Sequence, residues 1–104
     1  MMEANLFRAL ADPTRRAVFE RLASGELSVS QLTEGFSISQ PAISQHLATL
    51  REAGLVAERR QGRFVYYRAE PAGLSPLIGW VDRYRTFWPE RLRRLQTVLK
   101  DMES

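Results

Sequence analysis

The sequence predicts an α+β fold that is mainly α, with four helices, a β-hairpin and a helical C-terminal segment. Three observations carry this. Asp12, Ser28 and Ser39 each stand just before a run with helical apolar spacing, where N-caps belong. Two β-leaning runs, Leu55-Val56-Ala57-Glu58-Arg59 and Phe64-Val65-Tyr66-Tyr67-Arg68, flank a loop containing Gly62, which is a hairpin signal. Beyond Pro71 apolar residues return at helical spacing to the end of the chain.

The elements come in order. Leu6, Phe7 and Leu10 give residues 4–11 one apolar side. Asp12-Pro13 opens a second helix, with Asp as N-cap and Pro at the first helical position. Ala17, Val18, Leu22 and Ala23 are its apolar positions, and Gly25 suits its stop. Ser28-Val29-Ser30-Gln31 has the form of a capping box and starts a third, short helix that ends near Gly35. Ser39 caps the fourth helix, which tolerates Pro41 in its first turn and closes at Gly54. The hairpin comes next. In the C-terminal segment Leu92, Leu95, Leu99 and Met102 form a stripe with Val98 beside it, and Trp88-Pro89 marks a break or kink. No repeat, linker or low-complexity stretch divides the 104 residues, so the expectation is a single domain spanning 1–104.

Composition excludes several classes. The absence of Cys removes disulfides and thiolate metal or redox sites, and one His cannot build a metal site alone. No apolar run approaches a membrane span and no signal peptide is evident, so a cytoplasmic protein without a membrane partner is expected. No Gly-rich phosphate loop or paired carboxylates suggest an enzyme. Hydrophobic residues at 44% and charged residues at 26% are globular values. Charge is unevenly placed: residues 1–40 carry net −1, residues 51–68 net +3 and residues 76–100 net +4. Fourteen of the fifteen basic residues are Arg, which grips phosphate through a planar fork, although a solvated basic surface is the plainer explanation of composition alone.

The fourth helix is the most informative segment. A helix turns about 100° per residue, so with Ile43 at zero, Leu47 lies near 40° and Leu50 near −20°. Pro41, Gln45, Ala48 and Glu52 lie around the opposite pole, flanked by Ser44 and Thr49. An outer face of short polar groups, where a solvated helix usually carries charge, suits the hydrogen-bonding edges of base pairs in a major groove. Gln45 is the best base reader, because its amide donates and accepts as the adenine edge requires. Pro41, Ala48 and the Thr49 methyl suit thymine methyls, while Ser44 reaches a base or a phosphate. Ser39 and Gln40 stand at the helix N-terminus, where free N–H groups and the dipole favour a phosphate. His46 lies on the shoulder of the core stripe and reads first as a half-buried packing residue, with a bond to phosphate or backbone left open. Arg59, Arg60 and Arg63 sit on or beside the hairpin turn and suit phosphate or the minor groove. The pattern is that of a recognition helix followed by a wing, and the partner it predicts is double-stranded DNA.

These residues resemble the ArsR-type winged helix-turn-helix regulators. Phe7-Arg8-Ala9-Leu10-Ala11-Asp12-Pro13-Thr14-Arg15-Arg16 is similar to their opening, Ser39 to Val56 to their recognition helix and its exit, and Tyr66-Tyr67-Arg68 to the end of their second wing strand. The C-terminal helix, with Trp80, Phe87 and Trp88, resembles a metal-free, SdpR-like branch. The resemblance implies residues 28–53 as the helix-turn-helix, 55–69 as the wing, and 1–11 and 72–104 as dimerisation helices. It implies a homodimeric repressor, since one winged helix reads half a palindromic site. Leu6, Phe7, Trp80, Tyr84, Phe87, Trp88, Leu92, Leu95 and Leu99 would form the dimer interface. Metal sensors of this family carry a thiolate box where this chain has Glu26-Leu27-Ser28-Val29-Ser30-Gln31-Leu32. Serine supplies no soft anionic ligand, so no metal and no cofactor are expected. An effector, if one exists, is not named by the sequence; an aromatic pocket near Pro89 is one place for it. The rival reading is a winged-helix module that has lost specific DNA binding and holds a protein partner through its aromatic C-terminal helix.

Overall fold

Each expected cap starts a helix. The computed structural model describes residues 2–87 and 89–103, without the side chains of residues 2–4, 92, 93, 96, 99, 102 and 103. After α1 (Met2–Ala11), one Asp12 carboxylate oxygen accepts from the Thr14 and Arg15 backbone N–H groups at 2.9 and 3.1 Å, and α2 (Pro13–Ala23) begins. The guanidinium groups of Arg15 and Arg16 donate back to the Arg8, Ala9 and Leu10 carbonyls, satisfying acceptors that the end of α1 leaves open. β1 (Leu27–Ser28) leads into α3 (Val29–Glu34) through the expected capping box. Gln31 N–H donates to Ser28 Oγ at 3.2 Å, and Ser28 N–H donates to Gln31 Oε1 at 2.9 Å. Ser39 Oγ accepts from Ala42 N–H at 3.3 Å and starts α4 (Gln40–Glu52).

The exit from α4 sets the direction of the hairpin. Gly54 adopts φ +78°, Leu55 N–H reaches the Leu50 carbonyl at 2.9 Å and Gly54 N–H reaches the Arg51 carbonyl at 3.0 Å. This paired closure of the last turn aims the chain into β2 (Val56–Gln61), which pairs antiparallel with β3 (Phe64–Ala69). The two-residue turn has Gly62 at φ +60° in its first position, the type II′ arrangement that matches strand twist. A 3-10 turn (Pro71–Leu74) then enters α5 (Ser75–Arg83), followed by a second 3-10 turn (Arg85–Phe87) and α6 (Glu90–Glu103). The break expected at Trp88-Pro89 therefore falls between α5 and α6. Trp88 itself and the side chains of Leu92 and Leu99 lie outside the described residues.

The helix order and hairpin match the expected winged helix-turn-helix, with one addition. β1 pairs with β3 in the register Leu27↔Tyr67 and Ser28↔Tyr66, making a three-stranded sheet ordered β1-β3-β2. The core joins Leu6 and Ala9 of α1, Val18 and Leu22 of α2, Leu32 of α3, Ile43, Leu47 and Leu50 of α4, and Leu55 and Val56 beyond it. Each large apolar side chain buried there contributes roughly 1.5–3 kcal/mol. One expectation is corrected by this core. The resemblance assigns Leu6 to a surface shared between copies, yet it is only 1% exposed and packs within its own chain. Phe7, about 100° further round α1, faces outward instead.

Candidate nucleic-acid interface

With Ile43, Leu47 and Leu50 packed inward, α4 turns Gln40, Pro41, Ser44, Gln45, Ala48 and Glu52 to the solvent. Five of these six residues carry no charge. Thr49 is half-buried, and its hydroxyl donates to the Gln45 carbonyl at 3.2 Å. That bond commits the hydroxyl proton within the helix and leaves the methyl and an acceptor oxygen as the groups Thr49 can offer to a base. Ser39 is exposed, with its oxygen already engaged as the cap. His46 is half-buried and near the start of α2. The Asp12 carboxyl there is held below its ordinary range first by the hydrogen bond from the Arg15 backbone and then by that from Thr14, against partial desolvation, with His46 a smaller contributor. His46 is thus placed between α4 and α2, apart from the outward face of α4.

The wing arginines divide into two kinds. Arg59 is held: its Nε and Nη2 donate to the two Glu26 carboxylate oxygens at 3.2 and 2.6 Å, and Nη1 donates to Gln61 Oε1 at 2.7 Å. Its guanidinium also lies 4.9 Å from the centre of the Tyr66 ring. The hydrogen bond from Arg59 lowers the Glu26 carboxyl from its ordinary value, and the reciprocal bond raises Arg59. Arg59 therefore fastens the wing to the residue that precedes β1. Arg60 and Arg63 are exposed, with no hydrogen-bond or ion-pair partner among the described residues. They supply the positive charge the wing can offer to a phosphate.

A second fastening joins the wing to α4. Arg51 Nη1 lies 2.7 Å from Glu58 Oε1, and the Tyr67 hydroxyl donates to Glu58 Oε2 at 3.1 Å. Burial, then the bond to Glu58, raises the Tyr67 phenol above its ordinary value. Glu58 thus bridges the last turn of α4 and the opposite strand of the hairpin. Sequence reasoning misses both fastenings; the only signal is an acid, Glu58, standing beside Arg59 and Arg60. Where the resemblance places a thiolate, the Ser28 hydroxyl is spent on capping α3.

At the other end of the chain, exposed aromatic rings form a ladder. Phe7 of α1 meets Trp80 of α5 edge-on at 5.7 Å, Trp80 lies 5.0 Å from Tyr84, and Tyr84 lies 6.3 Å from Phe87. Phe87 is 81% exposed, and Leu95 and Val98 of α6 are also open.

Comparison with known proteins agrees with this geometry. Residues 12–58 match the model of the bacterial regulatory protein family arsR. The chain is 38% identical over 77 residues to the transcriptional repressor SdpR of Bacillus subtilis, an alignment covering 74% of this chain and 86% of that protein. It is 46% identical over 80 residues to the HTH-type transcriptional regulator Rv2034 of Mycobacterium tuberculosis, covering 77% and 75%. An ArsR-like transcriptional regulator from Rhodococcus sp. RHA1 superposes with a TM-score of 0.74 at 32% identity, covering 93% of this chain and 92% of that one. A winged helix with a largely uncharged outer face on α4, and relatives of this identity along most of its length, leave one assignment: the chain belongs to the ArsR family of bacterial regulatory proteins, which are DNA-binding transcription regulators and not enzymes.

Proposed function

We propose that the protein is a homodimeric, cytoplasmic repressor that reads a palindromic operator, with α4 of each copy in the major groove and each wing on the flanking backbone. The observation that carries the reading is the exposed face of α4, uncharged from Gln40 to Ala48, beside two wing arginines, Arg60 and Arg63, that are unpaired among the described residues. In this reading Gln45 is the principal base reader. Ser44, Pro41 and the Thr49 methyl complete the base-edge surface, and Ser39 and Gln40 meet a phosphate at the helix start. Arg60 and Arg63 contact phosphate, Arg59 positions the wing, and His46 supports α4 from behind. Two copies pair through α1, α5 and α6, so that their recognition helices stand about one DNA turn apart.

The test is binding of the purified protein to DNA upstream of its own gene, against a scrambled duplex, at low and physiological salt. Selective binding by two copies at physiological salt is expected. Equal binding to both duplexes that disappears with salt would overturn the reading and favour a protein partner. Gln45→Ala is expected to cost about 1–3 kcal/mol per half-site on the operator and to leave thermal stability unchanged, because the side chain is exposed. Arg63→Ala is expected to weaken operator and scrambled DNA alike, and to reduce the slope of log K against log salt by about 1 per subunit.

A further inference from the structure

A large apolar side chain stands open at the tip of the wing. Phe64 comes directly after the Gly62-Arg63 turn, pairs with Gln61 across it, and is 60% exposed. A phenylalanine left bare in water at a hairpin tip contributes little to this chain's own stability. The ring is nevertheless supported. Its ring lies 6.2 Å from that of Tyr66, and Tyr66 is covered in turn by the Arg59 guanidinium, which Glu26 holds through two hydrogen bonds. The stack runs along the face of the hairpin opposite the one that carries Glu58 and Tyr67, because side chains alternate along a strand. It presents a supported apolar ring, not a floppy one.

The surroundings identify the occupant. Arg63 adjoins Phe64 in the chain at the turn, while Arg60, opposite Val65, stands on the other face of the hairpin. Neither has an acidic partner among the described residues, while the nearby carboxylates Glu26, Glu58 and Glu70 are taken by Arg59, Arg51 and Arg68 respectively. The tip thus sets an open apolar ring directly beside an unpaired positive charge, Arg63, with a second, Arg60, on the reverse face. The minor groove is lined by apolar deoxyribose walls between two rows of phosphate, and proteins that enter it use arginine and other polar side chains, frequently together with an apolar one. We infer that Phe64 is a DNA-contacting residue, its ring packed against deoxyribose in the minor groove that flanks each half-site, with Arg63 on the bordering phosphate. This rests on the proposed reading of α4 as the major-groove element.

The experiment compares wild type, Phe64→Ala, Phe64→Leu and Arg63→Ala on the upstream duplex the protein selects, and on the same duplex trimmed of its flanks. Because the contact is apolar, Phe64→Ala is expected to bind the full duplex about tenfold more weakly with an unchanged salt slope. Phe64→Leu should retain most of the affinity. On the trimmed duplex wild type and Phe64→Ala should bind alike. Hydroxyl-radical cleavage, which reports deoxyribose access from the minor groove, should show flank protection by wild type and its loss in Phe64→Ala. Wild-type affinity and footprint in Phe64→Ala would overturn the inference, as would a loss accompanied by the lower salt slope of Arg63→Ala, since the ring would then act only through the arginine. Failure of the wild type to select any duplex would instead defeat the reading of α4.

Discussion

Gly73→Ala is expected to lower the melting temperature by about 10–20 °C, corresponding to about 2–3 kcal/mol for a domain of this size. A Cβ on Gly73 would fall on the Gly54 carbonyl oxygen, 2.8 Å from its carbon and 3.3 Å from the Leu55 Cα. All three atoms are backbone, so no side chain can swing aside. They also belong to the turn that ends α4, where Gly54 holds φ +78° and Leu55 reaches back to Leu50. Relieving the clash would shift either the close of α4 or the entry to α5. Gly35→Ala is the control: its Cβ would meet the Leu32 carbonyl at an ordinary 3.6 Å and its φ is −85°, so stability should hold or rise slightly. Thermal unfolding of the two variants side by side measures the difference, and equal melting temperatures would contradict the close approach.

The second large effect is expected at the aromatic ladder. On the proposed pairing, Tyr84→Glu combined with Phe87→Glu should convert a dimer to a monomer at micromolar concentration, with operator affinity falling by about 10²–10⁴. Both rings are exposed in the single chain, so the charges cost its own fold little. Between two copies they would be buried without partners, which an apolar interface does not tolerate. The loss arises from linkage: when one copy is bound, a tethered second copy meets its half-site at high local concentration, and separate copies do not. Sedimentation measures the mass and titration of the operator measures the affinity. A persistent dimer with full affinity would remove the ladder from the interface and leave it for another ligand.

Much of the fold is legible in the sequence because its signals are local. Asp12, Ser28 and Ser39 mark helix starts through bonds reaching only two or three residues ahead, and Gly54 and Gly62 mark turns that need positive φ. The outward set of α4 comes from helical angle alone. The features that escape a sequence reading depend on distant partners. β1 has two residues and exists only because Leu27 and Ser28 meet Tyr67 and Tyr66, which no local pattern announces. Arg59 reads like its neighbours Arg60 and Arg63, and Glu26, a residue thirty-three positions away, makes it a fastening instead. Leu6 and Phe7 are adjacent apolar residues on a short helix, so periodicity does not decide which of them faces inward. Phe64 reads only as part of a β-leaning run, because sequence pattern does not distinguish a strand residue under cover from one at an open tip.

The bridge from Arg51 through Glu58 to Tyr67 bears on the timing of recognition. On the proposed reading, α4 and the wing are joined before DNA arrives, so neither has to fold or search for the other upon it. Encounter is then governed by diffusion and by sliding along charged backbone, and right and wrong sites differ chiefly in how long the protein stays.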